Sequence, residues 1–160
     1  MNSRLKLFGG VYMSIISMQN TEVTNPYEFI LGGKAEFTIR NMDADLEYKY
    51  LVLKSKKKDN MWFVYLKNGR DYNLYAGYIQ KIDNDLRYSE GRKGQLKIDS
   101  PQIRGLIYAL RKKDHLLPRP MILMHHGKCA CCGLPLDDPE SVARGVGPTC
   151  WKRLQAMHRM

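Results

Sequence analysis

The sequence predicts an α+β fold: an antiparallel β-meander with one covering helix, followed by a small cysteine-bearing finger. Three observations lead there. Segments rich in aromatic and β-branched residues recur between residues 34 and 80, the segment after Ser100 has helical apolar spacing, and all four cysteines lie between Cys129 and Cys150. With 160 residues, 44% of them hydrophobic, the chain can bury one modest core and a small appendage. The expected organisation is a loose segment over 1–30, an α+β domain over 31–118 and the finger over 119–160.

Residues 1–30 are expected to be poorly ordered or extended. The apolar run Val11 to Met18, broken by Ser14 and Ser17, is far too short to span a bilayer. No small-residue cleavage site follows it, and Met13 and Met18 offer alternative starts. Gly32-Gly33-Lys34 lacks the spacing of a phosphate-binding loop and reads as a turn. Ala35 to Arg40, Glu47 to Lys54, Met61 to Lys67 and Tyr72 to Gln80 follow as strands, separated by Asp, Asn, Gly and Lys clusters. In the second of these, Tyr48, Tyr50 and Val52 share one face while Lys49, Leu51 and Leu53 share the other. The sheet is therefore apolar on both faces for part of its length, and one face needs a cover. Ser100 and Pro101 mark a helix start, and Ile103, Leu106, Ile107 and Leu110 repeat at helical spacing before Arg111, Lys112 and Lys113 close the last turn. That helix is the expected cover.

The finger carries chemistry. Cys129 and Cys132 form a Cys-x2-Cys pair, and Gly133 lets the backbone turn back after it. Zn²⁺ takes four soft or borderline ligands tetrahedrally, so this pair supplies half a shell that Cys150 and one histidine can complete. His125 and His126 compete for the last position, and Cys131, whose side chain diverges from its neighbours' in a tight turn, reads as a free thiol or packing residue. A shell closed in this way is structural. A thioredoxin-like redox pair belongs at a strand-to-helix junction, whereas this one follows the Pro-broken segment Leu117 to Pro120. A disulfide scaffold spreads its cysteines through the whole chain. Asp138 caps a short helix with Pro139 first, Glu140 and Ser141 in its opening turn and Gly145 at its end. Gly147 and Pro148 turn the chain into Cys150, and Trp151 to Met160, with Trp151, Leu154 and Met157 on one stripe, reads as a terminal helix. Knuckle, helix, turn and ligand-bearing helix together predict a treble-clef-like zinc finger. Lys128, Arg144, Lys152 and Arg153 offset the negative charge of a three-thiolate site.

The stretch His-x3-Cys-x2-Cys-Gly-x2-Leu-x-Asp-Pro-x-Ser-x3-Gly-x-Gly-Pro-x-Cys, from His125 to Cys150, resembles an uncharacterised domain of phage and bacterial proteins known only as a domain of unknown function. The resemblance implies His125 as the fourth ligand. Cys131 departs from the pattern and leaves a swapped ligand open. Phe37 to Ile79 is weakly similar to the region preceding this motif in some members. No activity comes with the resemblance.

Net charge is +10, from 26 basic and 16 acidic residues, and favours a polyanionic partner through counterion release. Lys54, Lys56, Lys57 and Lys58 sit at a predicted hairpin tip, Arg92 and Lys93 form a second cluster, and Lys152 and Arg153 lie on the finger. Joined to exposed tyrosines such as Tyr72, Tyr75 and Tyr88, these cations suit single-stranded nucleic acid, DNA or RNA. Phosphate loop, nucleophile elbow and His-Glu-x-x-His motifs are all missing, and the spare histidines His115 and His158 have no evident partner, so no enzyme and no small-molecule substrate are expected. The carboxylates Asp43, Asp45 and Glu47, like Asp83 and Asp85, read as turn and strand-edge residues. The alternative to a nucleic-acid-binding accessory protein is a phage-encoded adaptor or inhibitor of a host protein. Reduced cysteines and the lack of an export signal point to the cytoplasm, that of the host if the chain is phage-encoded.

Overall fold

The computed structural model describes residues 21–112 and 116–158, and the expectations placed on residues 1–20, Lys113, His115 and the side chains of Met157 and His158 lie outside them. Seven strands form one sheet: β1 (Thr21–Glu22), β2 (Lys34–Asn41), β3 (Leu46–Lys54), β4 (Met61–Asn68), β5 (Asp71–Ile82), β6 (Asp85–Ser89) and β7 (Met121–His125). Their order is β1-β7-β2-β3-β4-β5-β6, with every adjacent pair antiparallel. The meander from β2 to β5 is as the alternation predicts. Strand β6 extends it through a tight turn in which Asp83 and Asn84 both take positive φ, the geometry of a type I′ hairpin.

Period-two alternation puts Phe37, Ile39, Tyr50, Val52, Val64 and Leu123 on one buried face. Helices α1 (Pro26–Ile30) and α2 (Pro101–Leu110) supply the cover. Helix α2 inserts Ile103, Leu106, Ala109 and Leu110, and the Tyr50 hydroxyl donates to Gln102 O at 2.8 Å, so the phenol is buried without losing its hydrogen bond. Helix α1 inserts Phe29 and Ile30, both fully buried. Asn25 caps it by accepting from Glu28 N, and Pro26 stands at its first position.

Two boundaries differ from the sequence reading. Residues 21–30 are a strand and a helix with buried side chains, where a loose or extended segment is predicted. The division at 118/119 also separates residues that share one sheet, because β7 lies between β1 and β2. The run Met121-Ile-Leu-Met carries apolar side chains on both faces, Leu123 buried in the core and Ile122 and Met124 half-buried on the opposite side, so it shows no polar alternation.

The finger continues directly from β7. Helix α3 (Pro139–Arg144) is capped by Asp138, which accepts from Ser141 N at 3.1 Å, and ends at Gly145, whose φ of 77° is left-handed. A Cβ at Gly145 would stand 2.5 Å from the Phe29 ring, so close approach as well as φ requires glycine. The last helix, α4, runs Pro148–His158, three residues earlier than the predicted start, because Pro148 opens the helix instead of ending a turn. Gly32 and Gly33 form a turn against which the knuckle rests: Lys34 N donates to Ala130 O at 2.6 Å, and a Cβ at Gly32 would lie 2.9 Å from that oxygen.

Candidate functional site

Cys129 N donates to Leu134 O, Gly133 N donates to Cys129 O, and Lys128 bridges to Pro135, which together fold residues 128–135 into a tight knuckle. Helix α4 brings Cys150 in its first turn. The sulfurs of Cys129, Cys132 and Cys150 thereby lie within 4.8 Å of one another, close enough to hold one metal ion. Cys129 and Cys150 are buried, and Cys132 is exposed. Backbone N–H groups of Cys131 and Gly147 donate to Cys129 Sγ at 3.4 and 3.3 Å, the environment a thiolate needs.

The charges follow from this packing. A hydrogen bond from the Cys131 thiol, opposed by burial and helped by the N–H groups of Gly147, Cys132 and Cys131, brings the Cys129 thiol down to about 4. Burial and the neighbouring Cys129 charge push Cys150 up to about 11. Cys131 moves up as well, through its bond to Cys129, burial and its contact with Cys150. One thiolate thus opposes ionisation of its neighbours. A divalent cation removes that opposition and displaces their protons, as expected of a thiolate metal site.

His125 is not in this group. Its ring is fully buried and neutral, held below the ordinary imidazole range first by burial. Nε2–H donates to Val142 O at 2.6 Å, and Nδ1 accepts from Gly127 N at 2.9 Å, so both nitrogens serve the backbone. The ligand role implied by the motif is corrected to an architectural one: the ring ties β7 to α3 and stacks on Phe29 at 6.0 Å. His125→Ala is expected to destabilise the protein by about 2–4 kcal/mol through a cavity and two orphaned backbone groups. Metal per molecule, measured by elemental analysis, should stay at the wild-type value, and its loss would restore His125 as a ligand.

His126 points away from the thiols. Nδ1 faces Glu36 Oε2 at 3.4 Å, and since a carboxylate only accepts, Nδ1 carries the proton and Nε2 accepts from the Thr38 hydroxyl at 2.8 Å. Glu36 also accepts from the Tyr72 hydroxyl and pairs with Lys128. Burial would raise the Glu36 carboxyl, but His126, Lys128 and Tyr72 together hold it below its ordinary value. Sequence spacing gives no sign of this network, which depends on strand pairing across 88 residues between Thr38 and His126.

The predicted phosphate-contacting residues fall in three places. Lys56, Lys57 and Lys58 are exposed at the β3–β4 tip, where Ser55 Oγ accepts from Lys57 N and Lys58 N, while Lys54 is half-buried with its ammonium 5.8 Å from the Trp62 ring. Arg92 and Lys93 are exposed in the loop after β6, and Lys152 and Arg153 are exposed on α4. Of the named tyrosines, Tyr75 lies on the face turned away from the helices, and Tyr72 is tied to Glu36. Tyr88 is corrected: it pairs with core-facing Ile79, and its hydroxyl reaches Ala76 O and Leu96 O.

On the face opposite the helices, pairing aligns two rows that the sequence reading missed. Glu36, Leu51, Tyr65 and Tyr75 are successive partners across β2 to β5, and Lys34, Leu53, Phe63 and Tyr78 form the next row. The four aromatic side chains are half-buried, and the Tyr75 ring lies 5.3 Å from Tyr65 and 6.4 Å from Phe63.

No helix among the described residues is long and apolar enough to cross a membrane. No curated protein and no solved structure matches the chain. The expected likeness to an uncharacterised domain is confined to the segment that ends β7 and carries the knuckle, α3 and all three converging thiols: residues 124–155 match a family of unknown function, DUF6011.

Proposed function

We propose that this protein is a small accessory factor that binds single-stranded nucleic acid across the aromatic face of its sheet, with one Zn²⁺ held structurally by the finger. The observation that carries the reading is the register that lines up Tyr65, Tyr75, Phe63 and Tyr78 beside cations. Lys49 and Lys67 flank one end of these rows, and Lys56 to Lys58 project at the other, beyond Leu53 and Phe63. Rings on a flat surface stack bases of any sequence, and cations at both ends follow the backbone. The formal charge of +10 favours the same class of partner.

For the finger, the three thiols and the N–H donors to Cys129 Sγ fit Zn²⁺ better than a hard cation. Cys131, whose thiol is hydrogen-bonded to Cys129, stands beside the three-thiol group without joining it, so the fourth tetrahedral position falls to Cys131 or to water. The order of knuckle, short helix and ligand-bearing helix supports a treble-clef-like description. Zinc in this reading fixes the finger against the sheet and takes no part in chemistry.

Fluorescence anisotropy with a labelled mixed-sequence single strand tests the proposal. Affinity should fall steeply between low and moderate salt, and Tyr65→Ala and Tyr75→Ala should each weaken binding by about 1–3 kcal/mol. Lys56→Glu with Lys57→Glu should weaken it further with no change in melting temperature. Failure to bind at low salt sinks the nucleic-acid reading and favours the second one, a protein-docking surface built on half-exposed Leu51, Leu53 and Phe63.

A further inference from the structure

A cleft of about 620 Å³ opens on the same sheet face, beside the aromatic rows and apart from the cysteine cluster. Such a volume lies in the range of small-molecule sites, roughly 300–1,000 Å³. Thr38, Arg40, Lys49, Lys67 and His126 line it, and Glu47 is the single carboxylate of the lining. Its composition is set by register. Thr38 pairs with Lys49 on one side and Met124 on the other, while Lys67 follows Leu66, the partner of Tyr50. Adjacent strands stand about 4.8 Å apart, so the two lysines and the threonine hydroxyl come from neighbouring strands at the spacing of a polyoxygen anion.

Three cations face one carboxylate, and that carboxylate is only loosely engaged: Glu47 lies 3.9 Å from both Arg40 and Lys49. Arg40 is also paired with Asp45 at 3.0 Å. Lys67 has no carboxylate within ion-pair distance among the described residues, and its ammonium stands 5.9 Å from the Tyr72 ring. Glu36 lies outside the lining, and Lys128 at 3.3 Å balances its charge, while Tyr72 and the His126 Nδ1–H bond its other oxygen. That bond fixes the His126 tautomer and holds the Thr38 hydroxyl in a defined place on the cleft wall. The surplus of positive charge, the ordered hydroxyl and the imidazole form one concave set of groups in which Lys67 has no carboxylate partner among the described residues.

We propose that this cleft is a phosphate seat, recognising the phosphate of a nucleotide through the ammonium groups of Lys49 and Lys67, with the mutually bonded Thr38 and His126 forming its rigid wall. One row separates Lys49 from Leu51 and Lys67 from Tyr65 on the same face, so a seated phosphate lies next to the surface on which its base stacks. The seat deepens the nucleic-acid reading and rests on it for the macromolecular source of the phosphate, whereas recognition of the phosphate ester itself stands without it.

The test follows the Thr38 amide and the His126 ring by NMR. Inorganic phosphate and a nucleoside 5′-monophosphate are titrated separately, against chloride at matched ionic strength. Saturable shifts with both, absent with chloride, are expected, and each of Lys49→Gln and Lys67→Gln should weaken binding about tenfold. Shifts indistinguishable from those of chloride overturn the seat without any need for a variant. A single-stranded oligonucleotide separates the two readings. Oligonucleotide affinity unchanged in a folded Lys49→Gln/Lys67→Gln protein overturns the seat as a contact for the strand's phosphate and spares the aromatic face. Saturable phosphate binding without oligonucleotide binding supports the seat and assigns it to a free phosphate ester.

Discussion

Cys132→Ser is expected to abolish stoichiometric metal binding and to unfold the C-terminal finger. Serine keeps the size of the side chain but offers no thiolate, and only three thiols converge among the described residues. Structural Zn²⁺ contributes about 10–16 kcal/mol to the folding of isolated finger peptides, so losing even a third of that is severe for a domain of ordinary stability. Damage should extend past the knuckle. Ala130, Leu136, Val142 and Val146 belong to the same buried cluster as Phe29 and Phe37, so an unfolded finger opens the edge of the core. A fall of more than roughly 10 °C in melting temperature is expected, together with protease cleavage beyond Leu123. Elemental analysis and a thermal melt of one preparation check both parts. Cys131→Ser should keep the metal; if instead Cys132→Ser keeps it and Cys131→Ser does not, Cys131 is the ligand.

Phe29→Ala is expected to cost about 3–5 kcal/mol, the range for emptying a buried aromatic site. Its ring meets Phe37 edge-on at 5.8 Å, stacks on His125 at 6.0 Å and closes against Gly145. It therefore joins the helix cover, the sheet and the finger at one point, and the cavity cannot collapse without moving two of them. Urea denaturation gives the measurement. A loss under 1 kcal/mol would show that this junction is not the centre of the core. Gly145→Ala should reproduce much of the effect from the opposite side, since its new methyl would collide with the same ring.

Local chemistry made several elements legible. Asp138, Pro139 and Gly145 announce α3 because cap, first position and left-handed end are each decided within a few residues. The spacing of Ile103, Leu106 and Leu110 does the same for α2, and the aromatic alternation for β2 to β5. Asn25-Pro26 carries the same kind of signal for α1, but the helix it opens is only 5 residues long, too short to show an apolar period. Strand β7 was hidden because Met121, Ile122, Leu123 and Met124 put apolar side chains on both faces of the sheet, and β1 because two residues hold no period.

The candidate metal site divides in the same way. Cysteine spacing identifies the three thiols, because a Cys-x2-Cys turn is local and Cys150 opens a helix. Spacing leaves His125 and His126 open, and the resemblance misassigns His125 because the role of a buried imidazole depends on what its two nitrogens meet, and one of them meets Val142, which α3 brings from 17 residues away. The aromatic rows and the Thr38, His126 and Glu36 network lie further out of reach. Which tyrosines share a face follows from register, and the bulge in the β4–β5 pairing between Val64 and Tyr65 is set by contacts that alternation does not encode.

The insertion of β7 between β1 and β2 has a consequence for how the chain is made. Glu22 and Phe37 emerge early in synthesis, yet their partners Met124 and His125 are translated roughly 90 to 100 residues later. Until then β2 presents an unpaired edge, a template for intermolecular pairing. Folding of this sheet must be late, non-local and correspondingly slow. A nascent chain stalled before Met121 should be prone to aggregation, even though nearly the whole meander has already left the ribosome.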